Sequence, residues 1–113
     1  MIRNGGRYRV VLVTCASMAE ARKIGHAVVE KKLAACANIV AGVESIYRWK
    51  GKVERAREAL VIMKTSETRL RQLKREVKRL HSYDVPEFIA LPIVAGSKEY
   101  LQWIGENTLA GKV

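Results

Sequence analysis

Seven residues, His81-Ser82-Tyr83-Asp84-Val85-Pro86-Glu87, gather an imidazole, a phenol and two carboxylates around a proline. Imidazole nitrogen and carboxylate oxygen are transition-metal ligands. A thiolate from Cys36 or Cys15 would add a soft third donor where the fold brings it near. Such a set suits copper or zinc better than magnesium or calcium. The H-x5-E spacing does not by itself single out a metal. His81 capping a helix end and Glu87 meeting a Lys or Arg is the plainer account, and spacing alone favours it.

His81, Tyr83, Asp84 and Glu87 could also serve as general acids or bases. Yet the chain holds no activated-nucleophile pattern, no paired-carboxylate motif and no G-x-S-x-G elbow. Thr14-Cys15-Ala16-Ser17-Met18 carries neither the Gly-rich phosphate loop nor the arginine of acylphosphatases. Catalysis is not expected.

The elements that hold these residues follow from local pattern. Arg7 to Thr14 is an apolar strand. Ser17-x-x-Glu20 has capping-box spacing and opens a helix with Ala21, Ile24 and Val28 on one side. Gly25 costs that helix stability, so close packing is expected there. A second strand grows out of Leu33–Val40 and continues past Gly42 to Trp49. Lys50-Gly51-Lys52 is a tight turn, and a third strand returns from Val53 to Thr65, completing a long hairpin. Ser66 is expected to cap a second helix reaching Leu80, with Leu70, Leu73, Val77 and Leu80 as its buried stripe. Pro86 excludes helix at the loop. Glu87 to Val94 is a fourth, edge-like strand because of Pro92. A short helix runs from Ser97 to about Glu106.

The order βαββαβ plus a C-terminal helix predicts an α+β, ferredoxin-like sandwich: four strands with two helices on one face. The chain of 113 residues makes one domain, 1–113, with loose tails at 1–6 and 108–113. Two helices leave the other sheet face and the aromatic hairpin uncovered. A homo-oligomer built through that face and the hairpin is therefore expected.

The longest apolar runs are strand-sized, so no membrane partner is expected. The polar N-terminus lacks a secretory pattern, and two cysteines suit free thiols; the expected location is cytoplasmic. The formal charge is +10, densest at Arg69, Arg71, Lys74, Arg75, Lys78 and Arg79. Phosphates would fit such charge, but the aromatic strand signature of RNA-binding sheets is absent. Nucleic acid is not an expected partner on these grounds.

Five ordered motifs span nearly the whole chain: Leu33-Ala34-Ala35-Cys36-x-Asn38; Ser45-x-Tyr47-x-Trp49-x-Gly51; Glu58 followed by Lys64-Thr65; His81-x-Tyr83-x-x-Pro86-Glu87; and Tyr100-Leu101-x-Trp103. Together they resemble the CutA divalent-cation tolerance family. Two departures stand out: Ser82 replaces the usual proline after the histidine, and Cys15 stands where the family gives no ligand to carry over. The resemblance implies a trimer assembled like PII signalling proteins. It implies a non-catalytic role in copper and divalent-metal tolerance, with no obligatory cofactor and copper or zinc as the divalent metal that could be bound. It places metal at His81, Glu87 and Cys36, and the trimer interface involves Tyr47, Trp49, Tyr83 and Trp103. The alternative is a PII-like module that binds a small anion or partner protein between subunits, with Lys64 and Arg48 supplying charge.

Overall fold

The computed structural model describes residues 6–109. Of the expected tails, 1–6 and 108–113, residues 1–5 and 110–113 lie outside the described residues. Eight elements follow one another: β1 (Tyr8–Cys15), α1 (Met18–Glu30), β2 (Cys36–Trp49), β3 (Lys52–Ser66), a 3-10 turn (Glu67–Arg69), α2 (Leu70–Leu80), β4 (Ile89–Pro92) and α3 (Lys98–Glu106). The strands form one antiparallel sheet in the order β2-β3-β1-β4, the ferredoxin-like arrangement.

Alternation along the strands sorts the sheet into two faces. Val11, Val13, Cys15, Ala59, Val61 and Met63 point inward and pack with Ala21, Ile24 and Val28 of α1 and Leu73 and Val77 of α2. At Gly25 the helix comes close to the sheet. A Cβ there would lie 3.3 Å from the Ala37 Cβ, so only hydrogen fits comfortably. The two helices run antiparallel. The Glu20 carboxylate at the start of α1 reaches Ser82 just beyond α2, and Lys31 past the end of α1 reaches Glu76 within α2.

The opposite face carries rows set by register: Cys36, Lys64, Val10 and Leu91; then Asn38, Ile62, Leu12 and Ile89; then Val40, Leu60 and Thr14. Helix α3 covers only the Tyr8 end, where Tyr8, Ala35, Leu101 and Ile104 form a second small core. Val40, Ile89 and Leu91 remain exposed, as do Tyr47, Trp49 and Trp103.

The hairpin is long because β2 and β3 pair from Cys36–Lys64 out to Trp49–Lys52. Pairing slips between Val40 and Val43, where Gly42 takes a φ of 71°. At the tip both Lys50 and Gly51 have positive φ, as a type I′ turn requires. Gly51 adopts this freely, whereas Lys50 does so against the preference of an L side chain.

Three expectations need correction. Ser66 does not cap α2 through its side chain: it ends β3, a 3-10 turn intervenes, and its hydroxyl bonds Thr108 instead. Thr108 is buried and also donates to the Ile104 carbonyl at 2.8 Å, so order extends past the expected start of the C-terminal tail. The stripe of α2 contains a carboxylate. Glu76 is buried between Leu73 and Val77, and its charge is met by Lys31 Nζ at 2.8 Å and by Arg79, which donates from Nε and Nη2 at 3.0 and 2.7 Å. These partners, Arg79 foremost, hold the Glu76 carboxyl down to about 2.

Candidate metal site

His81 leaves the end of α2 in an extended conformation, and its ring enters the protein under the end of β1. The imidazole is fully buried. Nε2 lies 2.7 Å from the Thr14 carbonyl, which can only accept, so Nε2 carries the proton. Nδ1 accepts from the Tyr83 amide at 3.1 Å, which is consistent with that tautomer. Tyr83 folds back so that the two rings meet at 4.7 Å.

Glu20 closes the arrangement from α1. Ser17 accepts from the Glu20 amide, as the capping box requires. The carboxylate, however, does not turn back to the amide of Ser17. It accepts from the Ala16 amide at 3.2 Å and, across the fold, from the Ser82 amide at 2.7 Å. Burial opposes its ionisation, but the hydrogen bonds from Ser82 and Ala16 outweigh this and hold it below the usual carboxylate range. Glu20 Oε1 lies 4.0 Å from His81 Nδ1.

Cys15 is the third member. It is the last residue of β1, points inward and is wholly buried. Burial first, then the charges of Glu20 and Glu58, push its thiol up to about 12. The donor atoms of Cys15, Glu20 and His81 lie within 4.8 Å of one another. Sulfur, nitrogen and oxygen within that reach fit a copper or zinc ion. The imidazole is held as a metal-binding one is: its far N–H is fixed on a backbone carbonyl, and Nδ1, 4.0 Å from Glu20, carries the lone pair that accepts from the Tyr83 amide. Were an ion held there, Nδ1 would give up its bond from the Tyr83 amide and Cys15 would give up its proton.

The residues expected from sequence are distributed differently. His81 belongs to this group. Cys36 lies on the opposite sheet face, in the Val10 row, about four residues or ~13 Å along the sheet from Thr14. Its thiol faces Lys64 Nζ at 3.7 Å, Asn38 Oδ1 at 3.5 Å and the Tyr100 hydroxyl at 4.0 Å. Lys64 is itself committed to Asn38. Arg48 is exposed near the hairpin tip, well away from Lys64 along β2 and β3.

Glu87 opens instead onto a cavity of about 540 Å³ beside the hairpin, with Glu58, Asp84, Tyr47, Trp49 and Tyr83 in its wall. The Tyr83 hydroxyl donates to Glu58 at 2.7 Å. Burial, and then the Glu58 charge, raise the Glu87 carboxyl above its ordinary value. Tyr83, expected at an interface, is thus half-buried within its own chain. Glu20 was not anticipated from sequence, and Cys15 was set aside. The signal for both lies in their shared turn: Cys15 ends β1, and the capping box that starts at Ser17 delivers Glu20 beside it.

Fold and site together define a small ferredoxin-like domain with a buried S, N, O donor group at one end of its sheet. The model of the family described as "CutA1 divalent ion tolerance protein" matches residues 9–107, and the chain belongs to that family. The chain is 52% identical over 99 residues to the divalent-cation tolerance protein CutA of Thermus thermophilus, a match covering 88% of this chain and 96% of that protein. It is 48% identical to the chloroplastic CutA of Arabidopsis thaliana, over 88% of this chain but only 54% of the plant protein. Among solved structures, the Thermus thermophilus protein superposes with a TM-score of 0.88 at 51% identity, covering 89% of this chain and 98% of that one. CutA1 from Oryza sativa gives 0.89 at 44% identity, covering 93% and 96%.

Proposed function

We propose that this chain is a non-catalytic metal-tolerance protein that takes up copper or zinc through Cys15, Glu20 and His81. The observation that carries this is the convergence of three different donor types on one point, in a member of a divalent ion tolerance family. Tolerance then arises from holding the ion. Uptake is linked to pH because the thiol must lose its proton as the metal arrives.

The active form we propose is a cytoplasmic homotrimer. The support is an apolar sheet face that α3 covers at one end only, continuous with exposed Tyr47, Trp49 and Trp103. Free thiols at Cys15 and Cys36 suit a reducing compartment. Light scattering should give three times the chain mass at micromolar concentration. A PII-like anion site is less well supported: Lys64 is tied to Asn38, and the cavity beside the hairpin is walled by three carboxylates, Glu58, Asp84 and Glu87.

Calorimetric titration with zinc, a redox-silent probe, tests the site. Wild type should bind, and Cys15→Ala, Glu20→Gln and His81→Ala should each weaken binding. Cys36→Ser and Glu87→Gln should leave it unchanged. Equal affinity across all six proteins would sink the proposal.

A further inference from the structure

The two helices on the inner sheet face present their outer sides to solvent, and the charge there is predominantly positive, with exposed Glu30 beside His26 at the end of α1. The exposed positions of α2 are Arg71, Gln72, Lys74, Arg75, Lys78 and Arg79. The one carboxylate of that helix, Glu76, is buried and already neutralised by Lys31 and Arg79. The adjacent α1 adds exposed Arg22 and Lys23. Among the described residues, Arg71, Lys74, Arg75, Lys78, Arg22 and Lys23 make no ion pair. Much of the +10 charge thus stands on one rigid layer.

We infer that the outer face of the α1–α2 layer docks on the phosphate backbone of duplex nucleic acid, without sequence preference. Charge complementarity carries the inference. Regularly placed phosphates reward cations held on rigid helices, and arginine forks match phosphate oxygens geometrically. The same face argues against two other anionic partners. The exposed positions of α2 hold no apolar or aromatic side chain. Helix α2 therefore has nothing to insert into a bilayer and no ring on which an unpaired base could stack, and α1 exposes one large, partly covered apolar side chain, Val29. The absent aromatic strand signature concerns base recognition by a sheet, whereas backbone docking by helices needs none of it. In a trimer assembled through the opposite sheet face, this layer remains on the periphery. The inference does not depend on the metal site.

Fluorescence anisotropy with a labelled duplex of about two helical turns tests it. Three proteins are compared across a salt series: wild type, the quadruple variant Arg71→Gln, Lys74→Gln, Arg75→Gln, Lys78→Gln, and a control with Arg7→Gln, Lys50→Gln, Lys52→Gln, Lys98→Gln. Both variants lose the same formal charge at exposed positions. Glutamine is a good helix former, so α2 is expected to persist, and circular dichroism verifies it. Wild type should bind at 50 mM salt and weaken steeply as salt rises. The helix variant's slope of log affinity against log salt should be shallower by roughly 3 to 4, at about 0.9 per lost phosphate contact. The control should keep the wild-type slope to within one contact. Four outcomes would overturn the proposal: no wild-type binding at 50 mM salt, equal loss in both variants, single strands bound more tightly than duplex, or anionic vesicles bound in preference to duplex.

Discussion

Cys15 and Cys36 belong to one sheet but point to opposite faces, and their surroundings share almost nothing. Cys15 ends β1, sees no solvent and sits beside Glu20 and His81. Cys36 begins β2 on the partly uncovered face, against Lys64, Asn38 and Tyr100. The first thiol is held protonated by burial and by neighbouring carboxylates, yet it has an imidazole and a carboxylate with which to share an ion. The second has a cation in contact and belongs to no group of three His, Cys, Asp or Glu donors among the described residues. On the proposed reading, a thiol's value to a metal depends on the other donors gathered around it. The two cysteines are not interchangeable.

The comparison can be broken most directly at the imidazole. His81→Ala should lower zinc affinity by more than the ~10–100-fold typical of losing a supporting residue, because it removes a ligand itself. Cys36→Ser should change affinity less than about twofold, within calorimetric error. A variant ranking in which Cys36 outweighs His81 would reverse the assignment of the two thiols.

Next in size is stability. Met63→Ala, in the core shared by the sheet and both helices, should destabilise by about 2–5 kcal/mol in urea unfolding. At the Cys36 end, Lys64→Met should cost no more than ~1 kcal/mol, since a partly exposed polar contact is lost.

The pH dependence separates the thiols again. With Cys15 titrating at about 12, each metal bound at neutral pH displaces one proton from it, so affinity should rise up to about tenfold per unit between pH 6 and 8. In Cys15→Ala that slope should flatten, while in Cys36→Ser it should persist. A slope unchanged by Cys15→Ala would remove the thiol from the site.

The smallest effect on binding is expected at Glu76, whose salt bridges tie α2 to α1 and touch neither thiol. Glu76→Gln should leave zinc affinity unaltered and lower stability at pH 7 by about 1–3 kcal/mol. The folded-state pKa is depressed to about 2, so this stabilisation is fully present above the ordinary value of 4.5 and is lost as pH falls towards 2. The difference between wild type and variant should shrink across that window.

Strands, helices and their order were legible because they rest on local pattern: alternation in β1 and the hairpin, the Ser17 cap, the breaks at Gly51 and Pro86. The approach of Gly25 to Ala37 was legible too, since a helix tolerates that glycine only for a reason. Long-range partners were not legible. Nothing near Ser66 in sequence announces Thr108, and the polar spacing of Glu76 on an apolar stripe looks like an exposed position until Lys31 is seen beside it. The site divided along the same line. His81 was singled out from its own loop, and the structure places it beside two other donor residues. Its company was taken from Glu87, six residues on, whereas Glu20 and Cys15 arrive from the far side of the fold.

The Glu20 carboxylate, with one oxygen on the Ala16 amide and the other on the Ser82 amide, works as a latch between the β1–α1 turn and the loop after α2. Each carboxylate oxygen has a second lone pair, so Glu20 could keep both amides and still hold an ion, and that pinning would set a time constant as well as an affinity. An ion lodged behind it would leave only as often as the latch springs. The protein would then behave as a slow-exchanging store that ignores brief swings in free metal, and Glu20→Gln would turn that store into a leaky one.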